Sequence, residues 1–378
     1  MRRIPDKRKR LRLLIFPVLF ILLFSLLRPH RITTVENFLT SPPKEKEELF
    51  IIPRLQQKTE ALLRKANPIV GVCIVGEVKT GKILTLAVWG RDSLPTRAHI
   101  TPYPSASIFK IITATCALEY NLLSPSATIP FCGRHHSRNP STWLCPHPPH
   151  SATFEEGLAL SSNPVIGIVG ACICKQKRML KTAKRFFFQT QGGKQKGYWG
   201  WVDPPEKLEE LASLSSGLTG STLSPMHAFC IIQAIANNGT MILPRINPKE
   251  RTKKRRVCNP KTAKTLRRML EKVVSKGTAH SGFYNKKGKY LLGKVRAGGK
   301  TGTLYRREAP KGIYDWFCGF APVEDPEVCI CVFLINPFKW NMRASYLACN
   351  VLRLALPIMQ KYSKSQQIPR KQETSGLR

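Results

Sequence analysis

Acidic side chains are scarce in this chain. Its 378 residues hold 23 Asp and Glu against 61 Lys and Arg, a formal net charge of +38. Such an excess raises nucleic acid as a partner. The basic residues do not gather in one arm, however. They recur in the N-terminus, in 175–196, 249–268 and 286–307, and in the tail. No RNA- or DNA-binding motif accompanies them, so no nucleic-acid partner is expected. The alternatives for the charge are a basic proteome, or attraction to an anionic envelope polymer or membrane surface. Internal repeats are missing too, which excludes solenoids and propellers. None of the 12 cysteines stands in a C-x-x-C pair, although in an exported protein some form disulfides. Cys329 and Cys331 share a face of any strand and do not readily bridge each other.

Hydrophobic residues make up 42% of the chain, enough for a core in one large or two modest domains. Residues 13–27, LLIFPVLFILLFSLL, form a nearly unbroken apolar run behind the basic MRRIPDKRKRLR. Arg28, His30 and Arg31 follow at once, with no small-residue cleavage site. The run therefore reads as an uncleaved anchor rather than a signal peptide. The basic side stays cytoplasmic, which predicts a single-pass protein of the inner or cytoplasmic membrane with its C-terminal bulk outside. The expected organisation is a cytoplasmic segment 1–12, a transmembrane anchor 13–27, a stalk with a helix 28–67, a main domain 68–360 and a disordered basic tail 361–378.

Periodicity predicts a helix over 54–66, then strands 69–78 and 83–88 about a turn at Lys79-Thr80-Gly81-Lys82. A helix follows Ser107. Further helices are expected over 154–169, 175–189, 224–237 and 261–275. Three strands (295–304, 314–321, 328–335) precede a helix over 342–360. The fold class is α+β: a five-stranded antiparallel sheet sandwiched by the terminal helices, with a mainly helical subdomain, preceded by one N-terminal transmembrane helix. Residues 131–150 hold Cys132, His135, His136, Cys145, His147 and His150. A zinc site, a Cys132–Cys145 disulfide, or neither stays open on spacing alone.

Ser107-Ile108-Phe109-Lys110 places a hydroxyl and an amine on one face of a helix start. A Ser hydroxyl needs a base beside it, and a Lys serves as one only where burial and positive charge lower its pKa. The apolar residues Ile111, Ile112, Ala114, Cys116, Ala117 and Leu118 would supply that burial. S-x-x-K alone is weak. Ser161-Ser162-Asn163 and Lys300-Thr301-Gly302-Thr303 follow it in the order known for serine enzymes that act on β-lactams. Lys79-Thr80-Gly81 repeats part of the last motif and reads as a plain hairpin turn.

These residues resemble the transpeptidase domain of penicillin-binding proteins over roughly Ile69–Met359. Pro104–Ala114, Phe154–Asn163, Leu223–Gly239, Gly277-Thr278-Ala279, Gly299–Thr303 and Trp316–Pro322 carry the likeness beside the three motifs. Some members also have cysteines and a histidine just before S-x-N, much as Cys132, Cys145 and His150 stand here. The resemblance implies that Ser107 is the acylated nucleophile and Lys110 its base. Ser161 would relay a proton to the leaving amine, and Asn163 would bind the peptide amide and orient Lys110. Lys300 would supply positive charge, and Thr301 and Thr303 would hold the substrate carboxylate. Gly302 would let the substrate approach the strand edge. The backbone N–H groups of Ser107 and Thr303 would form the oxyanion hole.

The resemblance further implies a D,D-transpeptidase that cross-links peptidoglycan stem peptides, is acylated by β-lactams, and uses no cofactor or metal. Membrane contact through the N-terminal helix and other cell-wall or division proteins enter as further partners. Larger members carry a glycosyltransferase or pedestal domain where this chain has only 28–67, which suggests a stripped-down enzyme or one positioned by a partner. The rivals are a D,D-carboxypeptidase, a serine β-lactamase or β-lactam sensor of the same fold, and a silent basic scaffold. Asn163, where related β-lactamases of one class have an apolar residue, argues against that class, and no deacylating Glu stands in a convincing loop. The intact motifs argue against a scaffold.

Overall fold

The computed structural model describes residues 49–90, 97–190 and 197–367. The expected cytoplasmic segment and transmembrane anchor lie outside those residues. Among the described residues, no helix is long and apolar enough to cross a membrane.

The chain first forms helix α1 (Pro53–Ala66), with Leu55, Leu63 and Ala66 buried on one stripe. Gln56 fastens it to the sheet, donating to Leu86 O at 2.9 Å and accepting from Leu86 N at 3.0 Å. This helix therefore packs as part of the domain rather than of a stalk. Strands β1 (Val70–Glu77) and β2 (Ile83–Gly90) follow as a hairpin. Gly81 takes φ +72° in the turn between them, which a side chain would strain. The Lys79-Thr80-Gly81 triplet is thus a hairpin turn, as expected.

Next comes α2 (Lys110–Glu119), buried along most of its length. The helix expected over 154–169 is broken. It forms α3 (Phe154–Ala159) and α4 (Asn163–Ile168), parted by Ser161 at φ +56°. Ser162 caps α4 by accepting from Val165 N, and Pro164 supports the first turn. A helix start inside the motif, absent from the apolar pattern, is what turns the Ser161 hydroxyl aside. The middle continues with α5 (Lys175–Arg185), α6 (Leu208–Ser216), α7 (Pro225–Ala236) and α8 (Pro260–Ser275). α5 stops short of the predicted Gln189.

Strands β3 (Gly298–Arg306), β4 (Gly312–Ala321) and β5 (Val328–Asn336) then complete the sheet. Its order is β3-β4-β5-β1-β2, antiparallel throughout, with Ile74 opposite Cys331 where the early hairpin joins the late strands. Strands β4 and β5 are buried along their whole length.

The last helix, α9 (Ala344–Gln367), extends past the expected boundary at 360, so 361–367 continue it. It touches α1, so both terminal helices lie on one face of the sheet rather than sandwiching it. The other face belongs to the helical middle. A Cβ at Gly71 would meet Leu63 of α1, whereas one at Gly76 would meet Phe229 of α7. Glycines of opposite parity on one strand mark its two faces. Helix α8 packs on edge strand β3, which carries Lys300.

Candidate active site

Three segments far apart in sequence meet at the end of α2. Residues 106–108 form a tight 3-10 turn just before that helix, and Ala106 holds φ +46°. Strain of this kind persists only where packing dictates it. Ser105, beneath the turn, bonds Ser221 through both backbone and hydroxyl. The turn leaves Ser107 partly exposed and Lys110 completely buried.

The Lys110 amine has three partners. It donates to Ser107 Oγ at 3.0 Å, to Asn163 Oδ1 at 2.6 Å and to the Ser161 carbonyl at 3.2 Å. Burial, and then the charge of Lys300, hold its pKa well below the ordinary lysine range. Lys300, also fully buried, donates to Ser161 Oγ at 2.8 Å and to its own neighbour's carbonyl at Thr301. Burial brings Lys300 down to about 7. All five expected catalytic side chains thus share one hydrogen-bonded network. A nucleophile sits beside a desolvated amine, and a second hydroxyl sits beside a second amine. That arrangement can move protons into and out of a reacting bond.

A cavity of about 470 Å3 opens onto Ser107, Ser161 and Asn163, and Thr301 and Thr303 also line it. The Thr301 hydroxyl hydrogen-bonds that of Thr278. Gly302 also serves the packing beneath the site. A Cβ there would lie 3.2–3.4 Å from Ala106, Trp316 and Ile108, so the glycine lets β3 close on the nucleophile turn.

Other parts of the site were not singled out from the sequence. Gly217, at φ +73°, ends α6 against the nucleophile turn; a Cβ would come within 1.9 Å of Ala106 O. It sits in a Gly- and Ser-rich stretch whose composition signals a loop but not its neighbour. The loop after Cys132 is strapped to Asn163. Asn163 N donates to His135 O at 2.6 Å, and Asn163 Nδ2 donates to Ser137 O at 3.1 Å. Cys132 and Cys145 form a disulfide, which leaves neither thiolate for a metal. Among the described residues, no three His, Cys, Asp or Glu side chains cluster as metal ligands.

The disulfide closes the loop that braces Asn163, so replacing Cys132 and Cys145 by serine loosens both loop and site. A bridge over about 15 residues contributes about 3 kcal/mol on a chain-entropy model. The expected result is a melting temperature lower by about 5 °C and acylation of Ser107 slowed by about tenfold. Calorimetry and the rate of labelling by a fluorescent penicillin check this. Wild-type rates in the double variant would show that the strap does not brace Asn163.

Comparison with known proteins bears on the family and the fold. The family model "Penicillin binding protein transpeptidase domain" matches residues 71–351. Stage V sporulation protein D of Bacillus subtilis is 27% identical over 296 residues, covering 71% of this chain and 44% of that protein. Penicillin-binding protein PbpB of Mycolicibacterium smegmatis is 26% identical over 266 residues, covering 63% and 40% respectively. The chain thus spans less than half the length of these relatives.

Among solved structures, the D,D-transpeptidase domain of a peptidoglycan glycosyltransferase from Eggerthella lenta superposes with a TM-score of 0.65 at 21% identity. It covers 82% of this chain and 83% of that one. Penicillin-binding protein A of M. tuberculosis, as a ceftriaxone acyl-enzyme, gives 0.64 at 20% identity, covering 84% and 80%. The family match takes in every element that builds the network around Ser107, and the chain belongs to the penicillin-binding protein transpeptidase domain family.

Proposed function

We propose that this chain is a membrane-anchored D,D-transpeptidase that cross-links peptidoglycan stem peptides through an acyl-Ser107 intermediate. The observation that carries the reading is the fully buried Lys110 amine, 3.0 Å from Ser107 Oγ. Lys110 takes the hydroxyl proton as Ser107 attacks the carbonyl of the penultimate D-Ala. The N–H groups of Ser107 and Thr303 stabilise the oxyanion. Ser161, supplied by Lys300, gives a proton to the departing D-Ala nitrogen. Thr301 and Thr303 hold the terminal carboxylate, and Lys300 adds charge when protonated. An amine of a neighbouring stem peptide then attacks the acyl-enzyme, and the proton path runs in reverse.

Anchoring rests on the apolar run 13–27. A D,D-carboxypeptidase differs only in using water as the acceptor. A β-lactamase needs a free base for that water. Glu155 is paired with Lys272, and Glu156 closes a capping box with Thr153, so both carboxylates ahead of Ser161 are engaged. β-Lactam acylation is supported by the M. tuberculosis relative in its ceftriaxone acyl-enzyme form.

The test is to label the protein with fluorescent penicillin, follow the label over time and map it by peptide mass spectrometry. A label on Ser107 that persists for hours is the expected result. Rapid loss of the label would favour a β-lactamase, and no label on folded protein would overturn the enzyme reading.

A further inference from the structure

One strongly basic surface has no part in the chemistry above. Arg251, Lys253, Lys254, Arg255 and Arg256 fall within six consecutive positions, and all are exposed. Lys254–Arg256 pairs antiparallel with Thr240–Ile242 in a two-stranded ribbon. Strand side chains alternate between two faces, and here the charges stand open on both. Among the described residues, none of the five makes an ion pair. Acids beside the ribbon are already engaged. Glu250 accepts from Ile246 N at 2.6 Å, and Glu119 holds Arg185 at 3.0 Å and Asn259 N at 2.9 Å.

A run of like charges is ordinarily a solvated face. Two features set this one apart. The first is where the chain enters the domain. Phe50 N donates to Ile246 O at 2.9 Å, in the loop of the ribbon, and Leu243 N donates to Lys253 O at 2.9 Å. Lys82 and Arg245 lie over the Phe50 ring at 4.9 and 5.4 Å, so positive charge continues to the point of entry. Leu49, just before it, is an exposed apolar side chain. Residues 28–48 alone separate this point from the apolar run 13–27, a reach of about 70 Å at full extension. The second feature is aromatic. Arg255 lies 5.0 Å over the half-buried Phe187 ring, which stacks on Trp199 at 4.5 Å. Basic side chains set among aromatic rings suit the headgroup region of an anionic bilayer.

We propose that residues 251–256, with Phe50 and Phe187 beside them, form a face that rests on anionic phospholipid headgroups of the membrane that holds the chain. The anchor supplies a high local concentration, so a patch of weak affinity suffices. Docking then fixes which side of the domain faces the membrane. This inference rests on the anchored reading given above.

The test places the full chain in lipid nanodiscs and follows amide hydrogen exchange by mass spectrometry. One set of discs is phosphatidylcholine alone, and the other adds phosphatidylglycerol to about a third. The expected result is exchange over 251–256 slowed about fivefold in the anionic discs, with the effect lost in about 0.5 M salt. The exposed loop 285–289, with Lys286, Lys287 and Lys289, serves as the control. It adjoins the short helix His280–Phe283 that packs on α9, across the sheet from α7, on which the ribbon packs. Its exchange should not change. Replacing Lys253, Lys254, Arg255 and Arg256 by glutamine abolishes the difference between discs, while Arg255→Lys with Arg256→Lys keeps it. Penicillin labelling stays at the wild-type rate in both variants. Equal exchange in the two discs, or equal slowing at 285–289, overturns the inference. So does slowing by soluble poly(glycerol phosphate) in neutral discs without any effect of anionic lipid, which would assign the face to a polymer. Retention of the chain in neutral discs reads the anchor separately. A chain not retained there overturns the anchored reading and this inference with it, whereas a retained chain with unchanged exchange overturns the docking face alone.

Discussion

Lys110→Met lowers the rate of penicillin acylation by about a thousand- to ten-thousand-fold, the range of a positioned general base. Methionine matches the length of the lysine stem and keeps the site filled. It removes the only side-chain amine in contact with Ser107 Oγ among the described residues. Stability shifts little, because two effects oppose. Burying a lysine amine is costly, and methionine escapes that cost. Against this, Asn163 Oδ1 and the Ser161 carbonyl lose a donor. Each orphaned acceptor costs about 1–3 kcal/mol, reduced where cavity water can reach it. The melting temperature should stay within about 3 °C of wild type, so lost labelling cannot be laid to unfolding. A variant labelled at near wild-type rate would remove Lys110 as the base.

The same pair of lysines sets the pH dependence. Lys110 must be unprotonated to take the Ser107 proton, and burial and the charge of Lys300 depress its pKa in the direction that favours that form. Through Lys110, acylation therefore falls toward acid pH, as the amine gains a proton. Lys300, at about 7, loses its charge as pH rises through neutrality, and with it the pull on a substrate carboxylate. The second-order rate, which reports the free enzyme, should decline on the alkaline side from about pH 7. A bound carboxylate favours charged Lys300 and moves that limb upward for the complex.

Much of this site was legible because its chemistry uses residue types that advertise themselves. Ser107 and Lys110 lie one turn apart, and Ser161, Asn163 and Lys300 come in motifs whose order is informative. Four of the five strands showed as apolar or β-branched runs, β3 showed through the Lys300 motif it carries, and the hairpin turn showed as Lys79-Thr80-Gly81. What stayed hidden depends on neighbours remote in sequence. Ser161 breaks a helical pattern because its hydroxyl must reach Lys300, a contact across 139 residues. The 135–138 loop braces Asn163 through backbone carbonyls, which every residue possesses. The terminal helices share a face for packing reasons that their own amphipathic patterns do not state. Gly217 was invisible for the same reason: a glycine in a flexible-looking stretch carries no label for the backbone it touches.

That glycine gives the second large effect. Gly217→Ala slows acylation by at least about a hundredfold, since a shift of about 1 Å in a catalytic group has that consequence. The added Cβ would lie 1.9 Å from Ala106 O and 3.3 Å from Ser107 N, and both contacts are backbone, which cannot rotate away. The nucleophile turn or the end of α6 must therefore move. The turn is the softer of the two, since Ala106 already holds an unfavourable conformation, while α6 is buried from Leu211 to Ser216. The φ of +73° adds backbone strain of about 1–2 kcal/mol.

Gly220→Ala separates the two causes. Gly220 has φ +72°, so it bears the same strain, but the nearest atom to its Cβ is Leu214 Cδ1 at 3.6 Å. It should lose similar backbone stability yet acylate within about threefold of wild type. Comparing the labelling rates of the two variants at matched temperature below their melting points checks the argument. If both lose activity equally, strain in the loop rather than contact with the nucleophile turn explains Gly217. If only Gly217→Ala loses it, the end of α6 is the wall against which Ser107 is held for attack.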